Sequence, residues 1–423
     1  MGGGGREHAI GWRLASSPRV SKVYVAPGNA GTAAEDGLFN VPIESIPVLI
    51  GFAKREQVAL TVVGPEAPLA DGIVDAFRDA GLRIFGPTKA AAQLESSKDF
   101  AKAFMLRHGI PTAAYASFTE ASAAHAYVDR QGAPIVVKAD GLAAGKGVFV
   151  AMQLADAHAA IDRLLPADNR SAKIVIEEFL EGEEASFIAM VDGKNVLPLA
   201  TSQDHKRLLD DDLGPNTGGM GAYSPAPIIA PQLHARIMRE IIQPTVAGME
   251  QDGVPYSGFL YAGVMIRGNE VKVLEFNCRL GDPEAQPILL RLKSDLLSLI
   301  DRGAAGTLHE VKAEWDRRTA LGIVLAAHGY PDAPRTGDAI HELPKPEDDF
   351  HIFHSGTALH DKQLVTSGGR VLCVTALGDS VRMARWRAYQ LAEQIRFDGR
   401  QMRRDIGNRA IASGAAQSAR PAP

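Results

Sequence analysis

The first ninety-five positions alternate short apolar runs with helical patterns. Val23–Ala26, Ala59–Val63 and Leu82–Phe85 are compact runs rich in β-branched residues. Arg6–Ser16 and Leu69–Ala80 carry the spacing of helices between them. This rhythm predicts βαβ units and a parallel sheet, a Rossmann-like arrangement. The runs end in Pro27-Gly28-Asn29, Gly64-Pro65-Glu66 and Gly86-Pro87-Thr88. Ligands of open α/β sheets bind at the carboxyl ends of the strands. One such turn is ordinary punctuation; three in phase mark a candidate site.

The pattern changes at Ser96. Lys98–Arg107 reads as a helix, stopped by His108-Gly109-Ile110-Pro111. A βαβ-like unit follows, with strand Ile135–Lys138, a glycine-rich turn, strand Val148–Met152, helix Leu154–Leu165 and strand Lys173–Glu177. Asp204–Pro225 is rich in Asp, Gly and Asn, and Pro231–Met249 reads as one helix. Gly258–Ile266 and Val271–Glu275 form a hairpin across a Gly-Asn turn. A last block, Trp315–Ile411, has strands at Ala320–Ala326 and Arg370–Ala376 and a helix at Ser380–Ile395. The tail Gly414–Pro423 is small and polar and is read as disordered. No internal repeat of 20–50 residues is visible.

Composition narrows the class. The chain has 423 residues, enough for about three domains. With 46% hydrophobic and 22% charged residues it is an ordinary globular sequence, not a disordered one. Forty-five Lys and Arg against 50 Asp and Glu give a net charge of −5, which argues against general nucleic-acid binding. No apolar run approaches a membrane span and no secretory signal opens the chain. Cys278 and Cys373 form neither a disulfide framework nor a CxxC pair, which fits a reducing cytoplasm.

Three segments carry candidate chemistry. In Lys138-Ala-Asp-Gly-Leu-Ala-Ala-Gly-Lys146-Gly147, a strand enters a loop in which Gly141, Gly145 and Gly147 surround Lys146. Such a loop can aim backbone N–H groups at phosphate oxygens, with lysines supplying charge. It is not a Walker A motif, because no Ser or Thr follows the lysine. A glycine-rich hairpin with solvated lysines is the plain alternative. Glu177-Glu178-Phe179-Leu180 and Glu184 follow an apolar strand. They could read an adenine edge and ribose hydroxyls; alone, the segment reads as a strand end with a solvated acidic loop. In Glu275-Phe-Asn277-Cys-Arg279, period two puts an acid, an amide and a guanidinium on one strand face. Two such oxygens suit Mg²⁺, which takes few protein ligands beside phosphate oxygens. Arg279 suits charge developing on a transferred phosphoryl group.

Taken in order, Lys98, Lys138 to Lys146, Glu177 to Glu184 and Glu275 to Arg279 resemble the ATP-grasp superfamily of ligases. The resemblance narrows to the phosphoribosylamine–glycine ligase (glycinamide ribonucleotide synthetase) family. Gly4–His8, Ala26–Thr32, Val63–Leu69, Lys138–Gly147, Ser202–Arg207, Gly214–Pro225 and Glu275–Glu284 carry it over nearly the whole chain. It implies an N-terminal substrate-binding α/β domain (1–95) and an ATP-grasp region (96–305) with a lid at about 110–175. A small mixed α+β C-terminal domain (315–413) completes the expectation. It also implies ATP-dependent joining of glycine to 5-phosphoribosylamine through glycyl phosphate, with Mg²⁺ or Mn²⁺, in de novo purine synthesis. The expected enzyme is a cytoplasmic monomer that binds neither nucleic acid nor membrane.

The resemblance implies residue roles as well. Lys98 and Lys138 contact ATP phosphates, and Lys146 lies on the mobile loop with Gly141, Gly145 and Gly147. Glu177, Glu178, Phe179 and Leu180 read adenine, and Glu184 binds the ribose. Glu275 and Asn277 hold the metal, while Arg279 faces the reacting phosphoryl group. Gly4, Gly5, Arg6, Glu7, Pro65, Glu66, Asp204, Asn216, Thr217, Gly218, Gly219, Met220 and Asp282 surround glycine and phosphoribosylamine. A biotin-carboxylase-like or formate-using ATP-grasp enzyme is the rival, opposed by Gln203–Arg207 and Gly214–Pro225. A non-catalytic nucleotide binder is the other. The family has a hydrophobic strand before the first glycine run, whereas here Met1 meets Gly2–Gly5 directly. Losing about three buried aliphatics at ~1.5–3 kcal/mol each compares with a domain's ~5–15 kcal/mol stability. Roughly five further residues encoded in frame upstream are therefore expected.

Overall fold

The computed structural model describes residues 1–143, 147–166, 168–169 and 171–412. Gly145, Lys146 and the tail Gly414–Pro423, singled out above, lie outside them.

The first unit runs α1 (Gly5–Ala15), β1 (Val23–Val25), α2 (Ala30–Ala34), β2 (Leu38–Asn40), α3 (Ile46–Arg55), β3 (Thr61–Val62), α4 (Glu66–Ala70), α5 (Ile73–Asp79), β4 (Ile84–Phe85) and α6 (Gln93–Ser96). The strands pair in parallel, β1 with β2 and β3 with β4. Met1 and Gly2 lie between the pairs. The Met1 ammonium donates to Val62 O at 2.9 Å, and Gly2 N–H donates to Ala26 O at 2.6 Å. The single helix expected at 69–80 is two, because Gly72 takes a left-handed turn (φ +88°) that only glycine adopts freely.

α7 (Lys98–Arg107) matches its expected bounds; Ser97 Oγ caps it by accepting from Phe100 N–H at 3.1 Å. The next elements are β5 (Tyr115–Phe118), α8 (Ala121–Gln131), β6 (Ile135–Ala139), β7 (Val148–Ala151), α9 (Leu154–Leu164) and β8 (Ile174–Glu178). They form a sheet of order β5-β8-β6-β7 in which every neighbouring pair is antiparallel. The βαβ-like expectation is corrected here. β7 runs back along β6, so β6 lies between β7 and β8 and no parallel pair forms in this sheet. Ile135, Val137, Ile174 and Ile176 pack beneath α8 and α9, while Val136, Lys138 and Glu177 face the other way.

The chain continues through β9 (Glu183–Asp192), β10 (Val196–Pro198), β11 (Gln203–Asp204), β12 (Arg207–Leu209), β13 (Leu213–Asn216) and β14 (Gly221–Ser224). The helix expected at 231–249 is α10 (Pro231–Ile237) and α11 (Gln243–Gln251), joined by a π turn over Met238–Ile242. Pro244 has no N–H and crowds the preceding carbonyls, and the wider turn absorbs the mismatch. β15 (Ser257–Arg267) and β16 (Glu270–Asn277) form the expected hairpin, and the sheet order is β10-β9-β15-β16. α12 (Ala285–Arg291), buried along its whole length, and α13 (Leu296–Ala305) follow.

The last block holds β17 (Thr319–Ala326), β18 (Phe350–His354), β19 (Thr357–His360), β20 (Gln363–Thr366), β21 (Arg370–Gly378) and α14 (Val381–Ala392). Its main sheet, β11-β14-β17-β21-β18, recruits two strands from the Asp- and Gly-rich segment. Histidines tie it to the first unit. His354 N–H donates to His8 Nδ1 at 2.9 Å, and His8 Nε2 lies 3.1 Å from Glu35. Among the described residues, no helix is long and apolar enough to cross a membrane.

Gly258, at the start of β15, has φ +140°, and a Cβ there would lie 2.8 Å from Pro87 Cδ. Gly258→Ala is expected to cost about 1–3 kcal/mol, read as a lower denaturant midpoint. An unchanged midpoint would contradict this close approach.

Candidate active site

A cleft of about 1000 Å³ opens between the β5-β8-β6-β7 sheet, the β9–β15–β16 sheet and the loops that follow β13 and β16. Its charged side chains are arranged in compensated groups, each assembled from distant parts of the chain.

The first group centres on Glu177 at the end of β8, whose side chain is 3% exposed. Its carboxylate lies 2.8 Å from Lys102 Nζ and 2.9 Å from Lys138 Nζ. Lys102 comes from α7 and Lys138 from β6, so the trio joins the lid to the body. Burial lowers the Lys102 pKa to about 8, against the pull of Glu177. Lys98, one helical turn before Lys102, donates to Gly141 O at 2.9 Å, and burial lowers its pKa too. Asp140 accepts from the N–H of Lys98 at 2.7 Å, at the helix N-terminus.

The second group is Lys206 between Glu184 and Glu275, with 3.2 Å to Glu275. Chiefly through the Lys206 charge, the Glu275 pKa falls to about 2 despite burial. The third is Arg279, 3.2 Å from Glu66 and 2.8 Å from Glu95. Its Nη2 donates to Asn277 Oδ1 at 3.3 Å. Burial works against its charge, but Glu95 and Glu66 overcome it and raise its pKa. Arg6 joins the same wall by pairing with Glu7 at 2.6 Å and donating to Leu280 O at 3.0 Å.

The fourth group frames the far end. Arg370 pairs with Asp282 at 3.0 Å and donates to Gly218 O at 2.7 Å. Gly218 N–H donates to Tyr330 Oη at 2.9 Å. Thr217 Oγ1 donates to Lys206 O at 2.8 Å, and Asn216 lines the cleft beside it. Asp204 lies deeper. Burial and the neighbouring Glu284 carboxylate raise its pKa well above the usual range. Glu284 itself accepts from Ser186 Oγ at 3.0 Å.

Most residues singled out in the sequence line this one space: Arg6, Glu66, Lys98, Lys138, Gly141, Gly147, Glu177, Glu178, Phe179, Leu180, Glu184, Asp204, Asn216, Thr217, Gly218, Glu275, Asn277, Arg279 and Asp282. Others stand behind it. Gly4 N–H donates to Glu7 Oε2 at 2.7 Å, and Pro65 caps α4. Gly5 leaves no room for a Cβ against Ser355 and Gln286. Gly219 holds a left-handed φ of +111° against Pro283. The Met220 side chain is fully buried in the hydrophobic core. The Glu177 carboxylate is turned to two lysines, which leaves Glu178–Leu180 as the open part of the connector. Behind this connector lies a second cavity of about 550 Å³, bordered by Tyr127, Arg267 and Lys272.

Sequence reasoning passed over Lys102, Lys206, Glu95, Glu284 and Arg370 as site residues. Lys102 had a signal, since positions 98 and 102 share a helix face. Arg370 had none, because only the fold of the last block brings it to Asp282. Among the described residues, no three His, Cys, Asp or Glu side chains converge on one point. A divalent ion here would take Glu275 and Asn277 oxygens plus those of a ligand, and the strongly ionised Glu275 fits that demand.

Comparison with known proteins bears on this geometry. The chain matches the models for the three domains of phosphoribosylglycinamide synthetase: N over residues 1–95, ATP-grasp (A) over 96–285 and C over 320–409. It is 65% identical to a phosphoribosylamine–glycine ligase of Ralstonia nicotianae, over 97% of this chain and 98% of that one. It is 59% identical to a protein of the same name from Vibrio parahaemolyticus, with the same two coverages. The crystal structure of a Thermotoga maritima phosphoribosylamine–glycine ligase superimposes with a TM-score of 0.84 at 36% identity, covering 96% of this chain and 98% of that one. A Campylobacter jejuni biotin carboxylase, at 14% identity and TM-score 0.72 over 95% and 91% of the two chains, shares the fold alone.

The Glu177 trio makes a stability test. Glu177→Gln leaves two buried ammonium groups without a counter-charge and is expected to cost about 3–5 kcal/mol. Adding Lys102→Met should restore part of that loss in denaturant unfolding. A single variant as stable as the wild type would show that Glu177 does not hold the lysines.

Proposed function

The chain belongs to the phosphoribosylglycinamide synthetase family of ATP-grasp ligases, and from that premise we propose how its cleft joins glycine to 5-phosphoribosylamine. The reaction consumes ATP, passes through glycyl phosphate and yields glycinamide ribonucleotide, ADP and phosphate, a step of purine synthesis. One observation carries the assignment of roles. Lys98 and Lys138, from α7 and β6, line the same space as Glu275, Asn277 and Arg279, and Lys138 Nζ donates to Leu274 O, beside Glu275, at 3.2 Å. Cations next to an acid–amide–guanidinium set suit a polyphosphate and its counter-ion.

The chemistry explains why both sets are needed. A carboxylate is a poor acyl donor, because oxide is a poor leaving group. Transfer of the γ-phosphoryl group to a glycine carboxylate oxygen makes a phosphate that leaves readily. The amine of phosphoribosylamine then attacks the acyl carbon, the C–N bond forms, the C–O bond breaks and the amine loses a proton. Lys98 and Lys138 hold the transferring phosphates, and Arg279, permanently charged, faces the phosphoryl group as its charge spreads. Glu275 and Asn277 would hold Mg²⁺ or Mn²⁺, which supplies charge neutralisation of the phosphates. Glu178, Phe179 and Leu180 read adenine, and Glu184 takes the ribose once Lys206 yields it. Arg6, Glu66, Asp204, Asn216–Gly218 and Asp282 surround glycine and phosphoribosylamine, with Gly4, Gly5, Glu7, Pro65, Gly219 and Met220 fixing them from behind. The lid, with its turn at Gly141 and Gly147, closes over the acyl phosphate and keeps water away.

We read the enzyme as a cytoplasmic monomer. Cys278 and Cys373 are free and buried, as a reducing compartment allows.

ADP release should require glycine and phosphoribosylamine together, with neither replaced by bicarbonate or formate. Release supported by bicarbonate or formate would favour a different ATP-grasp ligase. Asn277→Leu should keep the thermal transition of the wild type and lose Mg²⁺-dependent turnover by a factor of at least ~10². Turnover close to wild type at limiting Mg²⁺ would remove Asn277 from the metal site.

A further inference from the structure

The outer face of the lid carries a second constellation, remote from the cleft chemistry. His125 on α8 and His158 on α9 face each other with Nδ1 to Nδ1 at 2.7 Å. Each ring's other nitrogen meets a carboxylate of the opposite helix. His125 Nε2 is 3.0 Å from Asp162 Oδ1, and His158 Nε2 is 3.1 Å from Asp129 Oδ1. The sequence carries the same symmetry. Ala124-His-Ala-Tyr-Val-Asp129 recurs thirty-three residues on as Ala157-His-Ala-Ala-Ile-Asp162. The alanines and Val128 or Ile161 seat each helix on the sheet, and the His and Asp at i and i+4 form the facing ridges. The match spans six residues, too short to register as a domain-scale repeat.

The hydrogen bonding fixes the tautomers. An ionised carboxylate only accepts, so each Nε2 carries its proton and each Nδ1 presents a lone pair. Two lone pairs at 2.7 Å require an electrophile between them, either a shared proton or a metal ion. Histidines that donate the distal N–H to a carboxylate are oriented as metal ligands. The buried histidines at the other interface differ. His8 accepts a backbone N–H at Nδ1 and faces Glu35 through Nε2, so no lone pair is left to ligate.

We propose that His125 and His158 bind one divalent cation of the imidazole-preferring class (Zn²⁺, or Ni²⁺ and Cu²⁺) through their Nδ1 atoms. The cation replaces the shared proton, which passes to solvent. Two imidazoles hold it, and water completes the shell. Zn–N bonds of about 2.0–2.1 Å at a tetrahedral angle put the two nitrogens about 3.3 Å apart. Small rotations of two rings that are 28% and 31% exposed supply that opening. Imidazole ligation separates this site from the oxygen-ligated, Mg²⁺-type site in the cleft. A bound ion would cross-link α8 to α9 and stiffen the back of the lid.

The test uses the full chain, stripped with a chelator and kept in excess Mg²⁺. Zn²⁺ is titrated calorimetrically, and Co²⁺ is followed by its visible absorption. The wild type should bind one equivalent that is absent from H158A and from H125A. D129N should bind it about 10–100-fold more weakly. Zn²⁺ should slow hydrogen exchange across 121–131 and 154–164 in the wild type only, while zinc-free turnover of H158A stays unchanged. Equal binding by wild type and H158A, or no equivalent bound by the wild type, would overturn the proposal and leave a shared proton between the rings.

Discussion

The cleft depends on a carboxylate placed where two lysines are taken out of water. An isolated buried ammonium costs several kcal/mol, so Lys102 and Lys138, both buried, need a counter-charge beside them. Glu177 satisfies both, at 2.8 and 2.9 Å. The three members of this group come from α7, β6 and β8, so the interaction that holds the two cations also fixes the β5-β8-β6-β7 sheet against α7. Period two along β6 does the rest, sending Ile135 and Val137 under the helices and Val136 and Lys138 into the cleft.

The same logic recurs around the cavity. Lys206 occupies Glu275 and Glu184, Arg279 occupies Glu66 and Glu95, and Arg370 occupies Asp282. On the proposed roles, substrate binding would be an exchange of partners rather than the filling of a bare charged hole. Polyphosphate would draw on the lysines, while the metal and ribose would compete with Lys206 for its two carboxylates. Such exchange keeps the electrostatic cost of the empty state low and leaves donors preset for the transition state.

Much of this was legible in the sequence because it is local. Glu275 and Asn277 share a face through strand period, but β16 ends at Asn277 and Arg279 lies in the bend that follows; the hairpin itself is written in its Gly-Asn turn. Lys138 stood out by its glycine-rich motif, and Lys98 by the family resemblance. What sequence missed is set by distant pairing. β18 and the β19–β20 hairpin hold their places through β21 and one another rather than through any strong local pattern. The lid strands read as βαβ because periodicity cannot tell that β6 occupies the slot between β7 and β8. Arg370 reaches Asp282 across 88 positions, a contact no spacing rule announces. The two helix interruptions, at Gly72 and before Pro244, were visible as residue types but were outweighed by the apolar period around them.

The central claim is that this cleft activates a carboxylate by phosphorylation before the amide forms. Glycine carrying ¹⁸O in its carboxylate tests it directly, by mass analysis of the phosphate released during turnover with ATP and phosphoribosylamine. Each phosphate should carry one glycine-derived oxygen, because the C–O bond of glycyl phosphate breaks when the amine attacks. Phosphate free of label, with the displaced carboxylate oxygen lost to water, would contradict it.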